Sequence, residues 1–244
     1  MARVAAERFP VGMSLFTLAT VAMLVGLGVW QLQRRVEKHA LIAALEERLN
    51  AAPSPLPSPS QWNALTAEHD EFRRVTFEAS FRSWPDAKVY TTGSALRTDM
   101  TTLGAFVFAP AAVGDETVVV DRGFVPDRGQ AADVPVAPVN LTGYIRFPEQ
   151  PGWLTPAADV GKRLWFTRDT FGMAKALKWG GVAPFYIDLE SPAPPSGLPK
   201  PAPLEVHLRD DHLQYAITWF GLALSIAIAF AVWLRGRLRP MAET

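Results

Sequence analysis

Two uncharged apolar runs, one near each end of the chain, constrain the structure more than any other feature of this sequence. Residues 9–33 carry no charged side chain over 25 positions, and residues 213–234 carry none over 22. A helix of about 20 apolar residues crosses the hydrocarbon core of a bilayer. Because both runs are long enough and are bracketed by charge, the sequence predicts two transmembrane helices, at residues 9–33 and 212–234.

A cleaved signal peptide is the alternative interpretation of the first run. The apolar part of a signal peptide is typically about 7–15 residues long, and small residues mark its cleavage site. Here the run is longer, and Arg34 and Arg35 follow it where small residues would be expected. These two features favour an uncleaved anchor.

Charge around the second run predicts its orientation. Arginines follow the run and aspartates precede it: Arg235, Arg237 and Arg239 on one side, Asp210 and Asp211 on the other. The positive-inside rule then places the C-terminus in the cytoplasm. With two spans, residues 1–8 and 235–244 are expected to be cytoplasmic. Residues 34–211 are expected to form an extracytoplasmic domain, periplasmic in a bacterium, with the spans in the inner membrane and in contact with lipid.

Composition excludes several classes of site. The chain has 24 basic and 24 acidic side chains, and this balance argues against a nucleic-acid-binding protein, which needs a basic surface. It has no cysteine, which excludes disulfides, thiolate metal sites and covalent c-type haem attachment. The motifs of serine hydrolases, zinc proteases and phosphate-binding loops are absent as well. The sequence therefore predicts no enzyme.

The segment between the runs has the pattern of a small α+β domain. Apolar residues at helical spacing continue the first helix over residues 35–50, and the proline-rich residues 53–60 end it. Seven segments have strand patterns, and one has a helix pattern: residues 75–81, 88–93, 103–110, 116–126, 140–147, 184–190 and 203–208, and residues 168–179. Short successive strands predict a mostly antiparallel, barrel-like sheet.

Aromatic and ionisable side chains gather at the outer ends of both predicted spans. Trp30 lies near the outer end of the first, and His212, Tyr215 and Trp219 share one face at the outer end of the second. Aromatic belts at the water–lipid boundary explain the tryptophans and the tyrosine without any function. His212 is either an interfacial residue or a ligand, and its chemistry alone leaves both interpretations open.

Other glycines and histidines have simple structural interpretations. Gly26 and Gly28 lie inside the first run, where small residues serve close helix packing. His69 lies in a charged stretch and is expected at the surface, whereas His207 follows a strand pattern.

The same border motifs, with others between them, resemble a known family. The sequence GVWQLQRRVEK at residues 28–38 and the sequence DHLQYAITWFGLA at residues 211–223 resemble the two membrane signatures of the surfeit locus protein one family. Between them, DRGFVP, LWFTRDTFGMAKAL and PFYIDLE resemble stretches of its outer domain, in the same order. In this chain, Asp210 and Asp211 stand where the family often carries asparagines. Carboxylates beside His212 favour a charged imidazolium.

The resemblance implies an assembly factor for cytochrome c oxidase that receives haem a and assists its insertion into subunit I. It implies His212 as an axial iron ligand, with Tyr215, Trp219 and Trp30 packed on the macrocycle. Gly26 and Gly28 would allow the flat ring to approach the helices. Subunit I and haem a synthase are the implied partners.

Two other interpretations remain open at this point. A chaperone without haem would hold nascent subunit I through its spans and outer domain. A membrane-anchored periplasmic enzyme is the weaker alternative, since the catalytic motifs are missing. Within the outer domain, Arg122 could pair with a propionate, although a structural ion pair is favoured, and Gly123 is expected to serve a tight bend.

Overall fold

The computed structural model describes residues 11–94, 96–97, 99–100, 102–127, 129, 131, 133–135, 137–205 and 210–238. The chain divides into two compact units. One unit, the helix pair, comprises residues 1–42 and 209–244. The other, the β domain, comprises residues 43–208. A helix at each end of the chain and a barrel-like sheet between them confirm the predicted fold class.

The terminal helices are long and present apolar side chains outward. Helix α1 spans Val11–Asn50 and helix α4 spans His212–Leu238. Only 11% of the apolar window of α1 and 6% of that of α4 are buried, so these side chains face a medium other than a protein core. Both helices are long and apolar enough to cross a membrane. The 40 residues of α1 make a rod of about 60 Å, which confirms the predicted continuation of the first helix through residues 35–50.

A narrow seam holds α1 and α4 together. Leu24 on α1 and Ala216 and Ala223 on α4 are buried. At Gly28, an added Cβ would lie 2.6 Å from Cε1 of Phe220, so the absence of a side chain is what allows this contact. Close packing was the expected role of both glycines in the first run. It is confirmed at Gly28 but wrong at Gly26, where an added Cβ meets no atom of the described residues within 4 Å.

The β domain contains one eight-stranded sheet, with the order β1-β2-β6-β8-β5-β4-β3-β7 and a further pairing between β2 and β4. The strands are β1 Ser54–Pro55, β2 Arg74–Phe81, β3 Ala87–Thr91, β4 Gly104–Val113, β5 Glu116–Pro126, β6 Val139–Arg146, β7 Leu164–Trp165 and β8 Tyr186–Ser191. The β2–β4 pairing closes β2, β6, β8, β5 and β4 into a ring. Its pairs are antiparallel except β5–β8, which is parallel.

Apolar side chains that alternate along the strands form a core on each side of this sheet. Val118 and Val120 belong to the cluster drawn from all five ring strands, whereas Val119 belongs to a second cluster. The second cluster also contains Met173 of helix α3 (Thr170–Leu177) and Trp179 after it. Because successive strand residues point to opposite faces, β5 contributes to two cores at once.

Short elements that the sequence pattern did not predict complete the domain. A 3-10 helix spans Pro59–Ala64 and places Trp62 in the core, and helix α2 spans Ala67–Asp70. His69 of α2 is exposed, as expected. Of the strand predicted at residues 203–208, residues 203–205 are not in a strand and residues 206–208, including His207, lie outside the described residues.

Gly123 does not make the expected tight bend. Strand β5 continues through it, and the register between β4 and β5 shifts there, so that Arg122 and Gly123 together stand opposite Val107. This is a β-bulge. Gly123 has φ +112°, and an added Cβ would collide with the backbone of Lys200, which exchanges two hydrogen bonds with Phe124. The glycine serves a close backbone approach.

Candidate ligand site at the helix border

His212 opens helix α4 and is joined to α1 by its side chain. Its Nδ1 lies 2.8 Å from Oε1 of Gln31. A carboxamide oxygen only accepts hydrogen bonds, so in a contact with Oε1 the donor is Nδ1–H, and a neutral ring in this contact carries its lone pair on Nε2. Within the part of the chain that the structure describes, no hydrogen bond to His212 Nε2 is present.

An ionic cluster lies next to this hydrogen bond in the helix pair. Oδ2 of Asp210 lies 2.6 Å from Nε2 of His39 and 3.5 Å from Nε of Arg35. Oδ1 of Asp210 accepts from the backbone N–H of His212 at 3.1 Å. The hydrogen bond from His39 is the largest cause that lowers the pKa of Asp210. Asp210, one of the two carboxylates expected to act on the His212 ring, is therefore paired directly with the ring of His39. It meets His212 through the backbone N–H and through charge, which also lowers the pKa of Asp210.

The aromatic side chains of the predicted site differ in their surroundings. Trp30 is 50% exposed and Tyr215 is 55% exposed, while Trp219 is half-buried, with no hydrogen-bond partner for its Nε1 among the described residues. His212, Tyr215 and Trp219 follow one face of α4 at spacings of three and four residues. Trp30 is the residue before Gln31, so the hydrogen bond sets the two border motifs side by side in the helix pair.

Gln31 lies within the border motif GVWQLQRRVEK, but the sequence assigned it no role in the site, and the structure places it at the centre. Its signal is weak, since glutamine is a polar residue within an otherwise apolar run that ends two positions later. Leu24, Gly28, Gln31 and Arg35 are less exposed than most of their neighbours and recur at spacings of four, three and four residues. That is the spacing of a helix–helix seam.

These residues fit a single-histidine ligand for a haem iron. Metal-binding histidines almost always donate their second ring N–H to an oxygen acceptor, which fixes the tautomer. Gln31 provides that acceptor for His212. No group of three His, Cys, Asp or Glu side chains in the described segments could hold a bare metal ion. A single histidine of this kind can supply one axial bond to a haem iron.

A second polar group lies inside the β domain. Asp121 on β5 and Asp188 on β8 are register partners on parallel strands, and they are 0% and 4% exposed. Burial, followed by the charge of Asp188, raises the pKa of Asp121 to about 8, and burial also raises the pKa of Asp188. Arg146 lies 3.5 Å from Asp188 and 2.6 Å from Glu71. One carboxyl of the pair is thus held neutral near pH 7.

Arg122 of the DRGFVP motif has structural contacts. Its Nη2 donates to the carbonyl oxygen of Asp133 at 3.0 Å, and its guanidinium lies 5.6 Å from the centre of the Phe81 ring. Burial lowers its pKa. These contacts hold Arg122 against the wall of an apolar cavity of about 430 Å³.

Comparisons with known proteins agree with the motifs. The model of the SURF1 family matches residues 18–224. Surfeit locus protein 1 of Rattus norvegicus is 33% identical, covering 92% of this chain and 75% of the relative. The human protein of that name is 32% identical, covering 86% and 74%. A SURF1-like protein of Rickettsia bellii is 29% identical, covering 91% and 90%.

The fold and the site together define a class of protein. Its members have an apolar helix at each end of the chain, a barrel-like domain between these helices in the sequence, and a histidine at the helix border. This chain belongs to the SURF1 family, whose members are known as cytochrome c oxidase assembly factors. Assembly is not a catalytic role, in line with the prediction from the missing motifs.

Proposed function

We propose that this protein is an assembly factor that binds haem a through His212 and assists its insertion into subunit I of cytochrome c oxidase. One observation carries the proposal: Nδ1 of His212 lies 2.8 Å from Oε1 of Gln31, a contact in which a neutral ring has the lone pair of Nε2 available for an iron. When bound, the haem supplies an iron that accepts an axial nitrogen. Family membership supports the oxidase as the client.

The side chains around His212 have distinct parts in this proposal. Tyr215 and Trp30 are exposed aromatic surfaces on which a macrocycle packs, and Trp219 borders the same face of α4. Gly26 leaves open space beside α1. The ring of Phe220 fills the space beside Gly28, so Gly28 serves helix packing in this proposal and does not contact the macrocycle.

The proposed location is the bacterial inner membrane, with both termini in the cytoplasm and residues 34–211 in the periplasm. Support comes from the two outward-facing apolar helices and from Arg235 and Arg237 in the last turn of α4. Alkaline phosphatase fused after Thr244 is expected to be inactive, and phosphatase inserted near Gly197 active. The reverse pattern would overturn this orientation, since the enzyme needs the periplasm.

The haem proposal is tested by replacing histidines one at a time. We expect His212→Ala to lose the Soret band of the detergent-purified protein after co-expression with haem a synthesis, and to lower oxidase activity at equal membrane abundance. His69→Ala is the matched control, since His69 is exposed in the β domain, and it should change neither signal. If His212→Ala keeps full haem with an unchanged spectrum, the ligand is another residue, and His39 is the next candidate.

A second function, holding subunit I without haem, is favoured by a specific surface. Val29, Leu32 and Val36 form an exposed apolar stripe on one face of α1, and Val36 is 71% exposed. Such a stripe, at and just beyond the outer end of the first predicted span, suits contact with an apolar surface of another protein at the membrane border, either subunit I or haem a synthase. Val36→Glu should then reduce co-purification of subunit I. A colourless parent protein that still co-purifies with subunit I would support this function over haem binding.

A further inference from the structure

Gln31 lies where an apolar residue would be expected. It follows Leu24 and Gly28 along the seam of α1, and it is half-buried near the end of an apolar run. A carboxamide removed from water is costly unless it is hydrogen-bonded. Its oxygen meets this requirement through the ring of His212, which is 181 positions away in the sequence. A polar residue at such a position therefore has a specific partner.

This hydrogen bond decides which nitrogen of His212 faces outward. Without an acceptor at Nδ1, a neutral imidazole exchanges between two tautomers, and its ring turns about the Cβ–Cγ bond. With Gln31 Oε1 2.8 Å from Nδ1, both the tautomer and the ring plane are set. The carboxylate of Asp210 is engaged by His39 at 2.6 Å, and Nδ1 of the His212 ring contacts the carboxamide of Gln31.

We infer that Gln31 is a positioning residue that fixes the Nδ1–H tautomer of His212 and so presents Nε2 to the iron. The inference rests on the proposed function for its ligand, but its first consequence concerns the protein without haem. In that state, the nitrogen chemical shifts of His212 should report a protonated Nδ1 and an unprotonated Nε2. Partners of this kind typically change metal affinity by about 10–100-fold when removed.

Three variants of the full chain in detergent separate the possibilities. Gln31→Leu removes the acceptor and places an apolar side chain, one atom shorter, at the same position, and we expect haem affinity to fall by about 10–100-fold. Gln33→Leu removes a similar carboxamide from an exposed position of the same helix, and it should bind haem like the parent. Gln31→Glu keeps an acceptor and makes it anionic, which increases the basicity of the ring. It should retain haem and lower its reduction potential.

The outcomes separate this inference from the proposed function. If Gln31→Leu keeps the affinity, spectrum and potential of the parent, His212 is positioned without Gln31, and the inference is wrong while haem binding stands. A nitrogen spectrum of the haem-free parent with an unprotonated Nδ1 would also overturn the inference. If instead His212→Ala keeps its haem while Gln31→Leu abolishes the Nδ1–H signal, the tautomer assignment holds, but the haem ligand proposed above is wrong.

Discussion

The helix pair and the β domain place polar and apolar side chains in opposite ways. In the helix pair, Phe16 is 74% exposed and Ile217 is 63% exposed, while polar side chains such as Gln31 meet partners at the seam. In the β domain, Phe108 and Ile187 are fully buried. An outward apolar surface of this kind is compatible with lipid, whereas the β domain has the buried apolar core of a protein in water.

This difference predicts where each unit is sensitive. At the proposed location in lipid, which is as apolar as leucine, the helix pair would gain little from burying apolar area and would depend on close contacts and polar pairs. Gly28 against Phe220 and Gln31 with His212 are such contacts. The β domain has a large apolar core, and its sensitive points are the charges inside it, above all Asp121 and Asp188.

The largest effect is expected from an arginine inside the β domain. Arg146 holds Glu71 and Asp188 and lies 4.4 Å from the centre of the Phe72 ring. Arg146→Leu leaves a buried carboxylate without its partner, which typically costs about 3–5 kcal/mol. Urea unfolding of the detergent-solubilised chain, followed by near-ultraviolet circular dichroism, would measure the loss.

An exposed ion pair provides the control for that experiment. Arg163 pairs with Asp86, and 44% of its side chain is exposed. Arg163→Ala should cost at most about 1 kcal/mol, because water screens such pairs. Equal losses in the two variants would show that the buried network contributes nothing beyond an ordinary surface pair, and would weaken the contrast between the two units.

A pH dependence should follow from the neutral carboxyl of Asp121. Its pKa is raised to about 8 in the folded domain, so between about pH 4 and 8 the folded state holds a proton that the unfolded chain has lost. The contribution of Asp121 to the free energy of unfolding is therefore greatest below the pKa that this carboxyl has in the unfolded chain. It falls as the pH rises towards 8, by at most about 1.4 kcal/mol per pH unit. Above pH 5 the carboxyls with lowered pKa values, Asp99 and Asp159, are already ionised in both states.

Asp121→Asn isolates this contribution. The amide is neutral at every pH, and its oxygen can still accept from the backbone N–H of Gly123, as Asp121 does at 3.0 Å. We expect the difference in unfolding free energy between variant and parent to grow in favour of the variant from pH 5 to pH 8. A difference that stays constant over this range would show that Asp121 is ionised in the fold.

In the helix pair, two glycines in the same run should respond differently to a side chain. Gly28→Val would force the Phe220 ring away, and overpacking of this kind costs about 1–3 kcal/mol. Gly26→Val meets no described atom and should be tolerated. The chain has no cysteine, so spin labels at Phe16→Cys and Val232→Cys would report the separation of the helices. A distance that changes equally in both variants would contradict the assigned seam.

Local patterns predicted most elements of the fold because their causes are local. Apolar spacing over residues 35–50 and alternation over residues 75–81 predicted the extension of α1 and strand β2 correctly. Pairing between strands depends on residues far apart in the sequence. The parallel pairing of β5 with β8 and the closure of β2 on β4 therefore carried no local signal, and neither did the bulge that allows β5 to continue through Gly123.

The candidate site was predictable in part for the same reason. His212, Tyr215 and Trp219 share a face because a helix repeats every 3.6 residues, which a sequence displays directly. The partner of His212 lies on the other helix, and only packing selects Gln31 among the polar residues of its run. The pairing of Asp210 with His39 is likewise a contact between distant segments.

The smallest effects are expected from a helix cap in the β domain and from an exposed ion pair within α1 of the helix pair. Asp169 caps α3, with its carboxylate accepting from the backbone N–H of Gly172 at 2.9 Å. Asp169→Ala removes this acceptor and should cost about 1 kcal/mol, the usual value for such a cap. Glu37→Ala removes the exposed pair that Glu37 forms with Arg34 on α1, and about 0.5 kcal/mol or less is expected. Urea unfolding would measure the free energy of unfolding of both variants, and the loss is expected to be larger for Asp169→Ala than for Glu37→Ala. A larger loss from Glu37→Ala would mean that this border charge has a partner or a role beyond the helix on which it lies.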